Sequence, residues 1–390
     1  MKQQFKSTLA LVICIATMHA NAQAEEFKVG VQLPLTGPLA LAGNEMSEGI
    51  QVAADVFNRQ NPKNKIKLIV VDDESTPAKA VAAVEKLASQ GVVAIAGSAN
   101  SNNAGPASDA ANKADLVYIT SGGTSDEMVN RGLKKFFRVS NTSGYASGMV
   151  GLYTDMGIKS VSVLYSTRDA TTDLANKLKK ALELKGVKLT MHPFDAAITD
   201  FKPILNKVKL QDKSEAIAMV GYETDYVGIL RAARIIRPNL KAIVGPWSLA
   251  TPKMAASFPD LMPYVYGATV LSSPPKFDTP SSKEFAETFQ RLFHTPSTYH
   301  SQTSFVYAQL LFEAILRSHN TGMLAKGGLA DELRKTKTAD SLLGPVAFDA
   351  KGDNPSYSAH MGQFQQNGDI AIVWPSQYAT GKMVFPKVSW

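Results

Sequence analysis

Cysteine is nearly absent, with a single residue, Cys14, in 390. Disulfide frameworks need pairs, and CxxC redox sites, iron–sulfur clusters and thiolate zinc sites need groups, so all four are excluded. Catalytic signatures are missing too. No GxSxG, HExxH, GxGxxG or phosphate-binding GxxxxGK[ST] occurs, and Gly381-Lys382 runs into Met383 without the upstream glycine. His192, His294, His300, His319 and His360 show no metal-ligand spacing with acids, and His294 and His300, six apart, do not share a helix face. These histidines read as ordinary surface or core residues. Charged residues make up only 19% of the chain, and the excess of 41 Lys+Arg over 34 Asp+Glu is scattered, without the basic stripe that nucleic acid requires. After residue 18 there is no apolar run of the ~20 residues that would span a bilayer. What is present is ample apolar material, 45% of the chain, over a length that suits two domains or one large one and excludes disorder.

Residues 1–24 read as an export signal. Lys2 and Lys6 supply the charged start, Leu9 to Met18 the apolar run, and Ala22-Gln23-Ala24 the small residues of a cleavage site. Cys14 lacks the small residue just before it that a lipoprotein signal wants, so lipidation is not expected. Cleavage after Ala24 would remove the only thiol and, with Lys2 and Lys6, take the net charge from +7 to about +5. The mature protein is expected to be soluble and outside the cytoplasm, in the periplasm.

From Phe27 onward short β-rich runs alternate with amphipathic helical stretches, the pattern of a parallel sheet covered by helices. Strands are predicted over 27–33, 66–71, 92–96 and 116–120, with helices over 44–58, 77–89 and 102–113 between them. A second series starts near Tyr145: a helix to Met156, strands over 161–165, 187–191, 216–220 and 242–245, and helices over 172–185, 201–210 and 225–236. Residues 281–337 read as mostly helical, and 346–348 and 370–373 as β again. Two series of similar length imply two similar lobes, with chain crossings near 142, 271 and 356. The acids Asp72-Asp73-Glu74 close a strand ahead of a helix opened by Pro77, where they are expected to cap N–H groups and not to do chemistry.

In open α/β sheets ligands sit beyond the carboxyl ends of strands, where helix N-termini aim free N–H groups outward. Three loops carry small polar residues at that place: Gly97-Ser98-Ala99-Asn100-Ser101-Asn102-Asn103, Ser121-Gly122-Gly123-Thr124-Ser125, and Gly221-Tyr222-Glu223-Thr224. Hydroxyls and glycine-exposed backbone suit an anion, most simply a carboxylate. Helix capping explains any one loop equally well, but the first two serve the same sheet edge, which favours binding.

On further motifs the chain resembles the branched-chain amino-acid binding proteins, the type I periplasmic solute-binding proteins of ABC importers. The motifs are Phe27 to Pro38 (FKVGVQLPLTGP), Val70 to Ser75 with Pro77, Gly105-Pro106-Ala107-Ser108, Ile119 to Thr124, Gly245-Pro246, and Leu343 to Asp349. The resemblance spans the mature chain. It implies two doubly wound α/β lobes joined by three hinge crossings: residues 25–142 plus 272–355 in lobe I, and 143–271 plus 356–390 in lobe II. It further implies an inner-membrane ABC permease as partner, a monomer, no cofactor and no catalysis. By the same resemblance the Ser101 hydroxyl binds a ligand carboxylate, Gly122 and Thr124 complete that clamp, and Tyr222 covers the ligand from the second lobe.

Three positions depart from the family pattern. Ala42 stands where an aromatic packs the ligand side chain, Ala170 where a second Tyr is common, and Trp247 where amino-acid binders carry a Glu for the ligand ammonium. An ammonium desolvated without a partner costs several kcal/mol, against the ~8 kcal/mol of a micromolar affinity. A Trp face returns only ~0.5–2 kcal/mol through cation–π attraction. These departures favour an aromatic or other non-amino carboxylate, which Trp247 and Tyr222 would shield from water. In the rival reading Asp169 or Glu223 supplies the missing acid and a branched-chain or other amino acid binds. Arg168 is a candidate for a second acidic group of the ligand. A sensory component without transport, and an exported enzyme of the same fold class, are the remaining readings.

Overall fold

Phe27, Val29, Val31 and Leu33 are all buried, and with them the strand Glu25–Leu33 becomes an interior strand of a sheet covered on both faces. The computed structural model describes residues 25–387 except 274 and 278, so the export signal over 1–24 lies outside the described residues. The first sheet runs in the order Asn64–Asp72, Glu25–Leu33, Ala94–Gly97, Val117–Thr120, Phe136–Arg138, and every neighbouring pair is parallel. The second runs in the order Ile370–Trp374, His360–Phe364, Tyr266–Thr269, Ala242–Gly245, Ala216–Val220, Ser160–Ser166, Lys188–Phe194. Its last five strands are parallel, and His360–Phe364 is antiparallel to both of its neighbours. The molecule is thus a two-lobed α/β protein with one doubly wound sheet per lobe.

The helix Ala40–Gln60 shows how the flanks are built. Met46, Ile50, Ala53 and Phe57 recur at helical spacing and are all buried. Its main partner is the helix Tyr299–Asn320, which the chain reaches only after building most of the second lobe. Gly49 permits the contact: a Cβ there would sit 2.0 Å from the Ser301 carbonyl oxygen. That packing brings the N-terminal turn of Tyr299–Asn320 beside the first sheet's ligand-side edge.

Most predicted elements appear, with shifted ends. The first helix begins at Ala40, ahead of the predicted Asn44, and the stretch over 201–210 divides into an α-helix Lys202–Lys207 and a π-helical turn Val208–Asp212. Three strands of the two main sheets escaped the sequence reading: Phe136–Arg138, Tyr266–Thr269 and His360–Phe364. Each is three to five residues long, and the last two contain Gly267 and Gly362. No alternation can be read over so few residues, and partner strands distant in sequence define them. Among the described residues no helix is long and apolar enough to cross a membrane.

Candidate functional site

The carboxyl ends of the strands Ala94–Gly97 and Val117–Thr120 in the first lobe, and of Ala216–Val220 and Ala242–Gly245 in the second, face one cleft. The cleft narrows to a slot of about 490 Å³ of empty volume, counting the part open to solvent. The loop 121–125 is pressed against the loop 97–100. Thr120 Oγ1 donates to the Ser98 carbonyl at 3.0 Å and accepts from the Gly122 N–H at 2.8 Å. A Cβ on Gly122 would lie 2.1 Å from the Ser98 carbonyl oxygen and 2.5 Å from the Ala99 carbonyl carbon, so only glycine fits this approach.

Ala42, Gly122, Thr124, Tyr222 and Trp247, all anticipated from sequence, border the slot. Ser101 does not: it is buried just behind, its hydroxyl oxygen accepting the Ser125 N–H at 3.1 Å. Its hydroxyl thereby stitches the two loops together. Arg168, Asp169 and Ala170 also lie off the slot lining. Arg168 stacks over the Tyr222 ring at 5.0 Å, Asp169 is exposed on the first turn of the helix Asp169–Glu183, and Ala170 is packed in the core. A helix whose apolar face must dock on the second sheet turns Ala170 inward and leaves Asp169 to solvent.

The acids Asp72 and Asp73 do accept N–H groups, but not those of the helix Pro77–Ser89, whose N-cap Thr76 makes no side-chain cap. Asp72 instead gathers the Leu35 N–H at 2.8 Å, the Thr36 hydroxyl at 2.6 Å and the Glu74 N–H at 2.8 Å, fixing the loop that leads to slot residues Leu39 and Ala42. Asp73 is buried and accepts from Gln32, from Asn103 and from the Ser75 N–H. Burial pushes its carboxyl up to about 6 even though these bonds oppose the shift. Both acids build the scaffold under the site.

The slot walls are largely aromatic: Tyr145, Tyr222, Trp247 and Tyr299. Tyr145 packs edge-on against Trp247, ring centroids 5.2 Å apart, and its hydroxyl meets that of Tyr299 from the facing lobe. Trp247 Nε1 donates to the Gly221 carbonyl at 3.1 Å, so the indole's one donor is already used. The Tyr226 hydroxyl donates to the same carbonyl at 2.6 Å, pinning the two second-lobe loops together.

The polar end of the slot combines Glu223, His300 and Ser248. Glu223 opens the helix Glu223–Ile236, and His300 lies in the first turn of Tyr299–Asn320 on the facing lobe. His300 Nε2 and Glu223 Oε1 stand 3.6 Å apart, an ion-pair distance across the cleft. Burial would raise the Glu223 carboxyl, but the facing charge of His300 and the neighbouring Ser248 hydroxyl hold it below the usual range. Burial would likewise depress His300, yet Glu223 and the nearby Glu45 raise it. Glu45, buried and bonded by the Thr298 hydroxyl at 3.0 Å, is itself shifted up, by burial first. Sequence reasoning weighed Glu223 only as a rival acid and passed over Tyr145, Tyr299 and His300. The last two reach the slot only because one long helix docks on another, which no local motif signals. Among the described residues no group of three or more His, Cys, Asp or Glu is arranged to hold a metal ion.

Comparison with known proteins matches this architecture. A family described as periplasmic binding protein covers residues 26–369. The Leu/Ile/Val-binding protein homolog 7 of Brucella melitensis is 24% identical, over 98% of this chain and 100% of its own length. The Leu/Ile/Val-binding protein of Escherichia coli is 24% identical over 93% and 98%. Among solved structures, a leucine binding protein from Thermotoga maritima superimposes with a TM-score of 0.79 at 21% identity, covering 90% of this chain and 99% of that one. A solute binding protein from R. palustris in complex with 4-hydroxybenzoate gives a TM-score of 0.79 at 18% identity, covering 94% and 98%. The chain belongs to the periplasmic binding protein family, as a type I solute-binding protein of an ABC importer, a periplasmic binder and not an enzyme.

Proposed function

We propose that this periplasmic binding protein captures a small α-amino acid with an apolar or aromatic side chain for its importer. The observation that carries the reading is the acidic Glu223 of the second lobe lining the same slot as the first-lobe hydroxyls of Ser121 and Thr124. An acid facing an anion clamp suits a zwitterion. The argument that Trp247 leaves a ligand ammonium without a partner loses its force, because Glu223, one loop away, can take the role. At ~3 Å and an effective dielectric near 20, that pairing is worth about 5 kcal/mol before desolvation is subtracted. Relatives that bind leucine, isoleucine and valine support the same reading.

In this reading the ligand carboxylate meets Gly122 and Thr124 on the first lobe, with Ser101 fixing their loop from behind. Closure of the second lobe brings Glu223 to the ammonium and Tyr222, Trp247 and Tyr145 over the side chain. The division is residues 25–142 plus 272–355 against 143–271 plus 356–390, and bonds made only when shut supply the free energy that populates the closed form. One chain supplies the whole site, and the closed form is presented to a membrane permease.

A second reading, a non-amino aromatic carboxylate, draws on the aromatic walls, on the prior pairing of Glu223 with His300, and on the fold shared with the 4-hydroxybenzoate complex. Calorimetric titration with L-leucine, L-phenylalanine, 4-methylpentanoate and benzoate separates the two. The amino-acid reading expects at least one amino acid to bind tighter than both amine-free acids, and the reverse order would reject it.

A further inference from the structure

Outside the slot, one charged cluster joins both lobes and two of the crossings, and its centre is Arg138. This side chain, at the end of the strand Phe136–Arg138, is 0% exposed. Its guanidinium grips Asp353 through Nε at 2.7 Å and Nη2 at 2.9 Å, and Nη2 also reaches Asp126 at 3.0 Å. Its remaining nitrogen, Nη1, donates to the Thr124 carbonyl at 2.7 Å and the Ser125 carbonyl at 2.5 Å, on the loop proposed to hold the ligand anion. A buried arginine with this many acceptors offsets its desolvation and permits little movement of the groups around it.

Asp126 carries the cluster across the cleft. It pairs with Lys177, and its backbone N–H donates to Asp173 at 3.0 Å; both partners belong to the second-lobe helix Asp169–Glu183. Asp173 also accepts from the Thr142 hydroxyl in the first crossing and pairs with Lys177 at 3.2 Å. Asn141 joins the first crossing to the third, donating to Asp353 at 3.1 Å and to the Asn354 carbonyl at 2.9 Å. A continuous chain of bonds therefore runs from the Thr124 loop through Arg138 and Asp126 to the second lobe.

We propose that Arg138, Asp126, Asp173 and Lys177 form a hinge-side lock that ties the position of the 121–125 loop to the angle between the lobes, with Arg138 a positioning residue for that loop. Opening must break the Asp126 contacts to Asp173 and Lys177. Seating an anion on the loop fixes Thr124 and Ser125, and through Arg138 fixes Asp126 in the place where the second lobe meets it. The link to ligand rests on the reading of the 121–125 loop given above; the lock itself does not.

The test uses the mature chain with spin labels on the exposed substitutions Glu85→Cys and Lys179→Cys, one in each lobe. With no ligand added, Lys177→Met should raise the long-distance, open population by up to about fivefold, as for a partly exposed charge pair, while Lys177→Arg should leave the distribution as it was. Adding Asp126→Asn to Lys177→Met should shift it by less than the two single effects combined. With L-leucine as probe, Lys177→Met should speed release by a similar factor at unchanged on-rate, a split that general destabilisation would not produce. An unchanged distance distribution in Lys177→Met, or full additivity with Asp126→Asn, would overturn the lock. A wild type blind to L-leucine would count against the amino-acid reading instead, with the ligand-free distances still deciding the lock.

Discussion

Replacing Glu223 by glutamine removes one negative charge from the polar end of the slot and almost no volume. If that carboxylate holds a ligand ammonium, the variant loses a hydrogen bond between charged groups, worth about 1.5–3 kcal/mol net, or roughly a 10- to 150-fold weaker Kd. The same change should not harm an amine-free ligand that uses only Gly122 and Thr124. L-Leucine and 4-methylpentanoate differ by that amine alone. Calorimetric titration of wild type and Glu223→Gln with both compounds therefore gives a double difference from which loop rearrangement and stability cancel. The reasoning expects the leucine affinity to drop by at least tenfold and the 4-methylpentanoate affinity to hold or improve, since one carboxylate no longer repels another. Equal losses for both compounds, or none for leucine, would refute the assignment of Glu223 to the ammonium.

Two further outcomes follow from the scaffold. Gly122→Ala should abolish ligand binding and lower Tm, because its Cβ would stand 2.1 Å from the Ser98 carbonyl oxygen and force the two loops apart; binding by calorimetry and Tm by circular dichroism check this, and normal affinity would show the loops to be pliable. Asp73, whose folded-state carboxyl is raised to about 6 by burial, stabilises the fold fully below its unfolded pKa near 4 and loses that contribution as pH rises through 6. The difference in stability between wild type and Asp73→Asn should therefore move in favour of the variant between pH 3 and pH 8, by up to ~3 kcal/mol, about half of it above pH 5; a pH-independent difference would place its ionisation elsewhere.

The sheet-and-helix alternation of both lobes was legible because their strands are short apolar runs and their helices carry an apolar face. Tyr266–Thr269 and His360–Phe364 were not, since a strand of four or five residues interrupted by glycine acquires its identity from its neighbours. The same distinction runs through the site. Gly122, Thr124, Tyr222 and Trp247 sit on loops that directly follow strands, where sequence order and sheet edge coincide. Tyr299 and His300 come from a helix that reaches the cleft by packing on Ala40–Gln60, a contact between residues some 250 apart in the chain, permitted by Gly49. Ser101 is harder to read: at a strand-to-helix turn a hydroxyl can face ligand or a neighbouring loop, and the bond from the Ser125 N–H is a tertiary contact that no local pattern signals.

Native mass spectrometry of the protein purified from its periplasm, with the released small molecule identified, is the most direct examination of what the two lobes enclose. A compound bearing both an amine and a carboxylate is the predicted result. A nitrogen-free aromatic acid recovered in stoichiometric amount would contradict it.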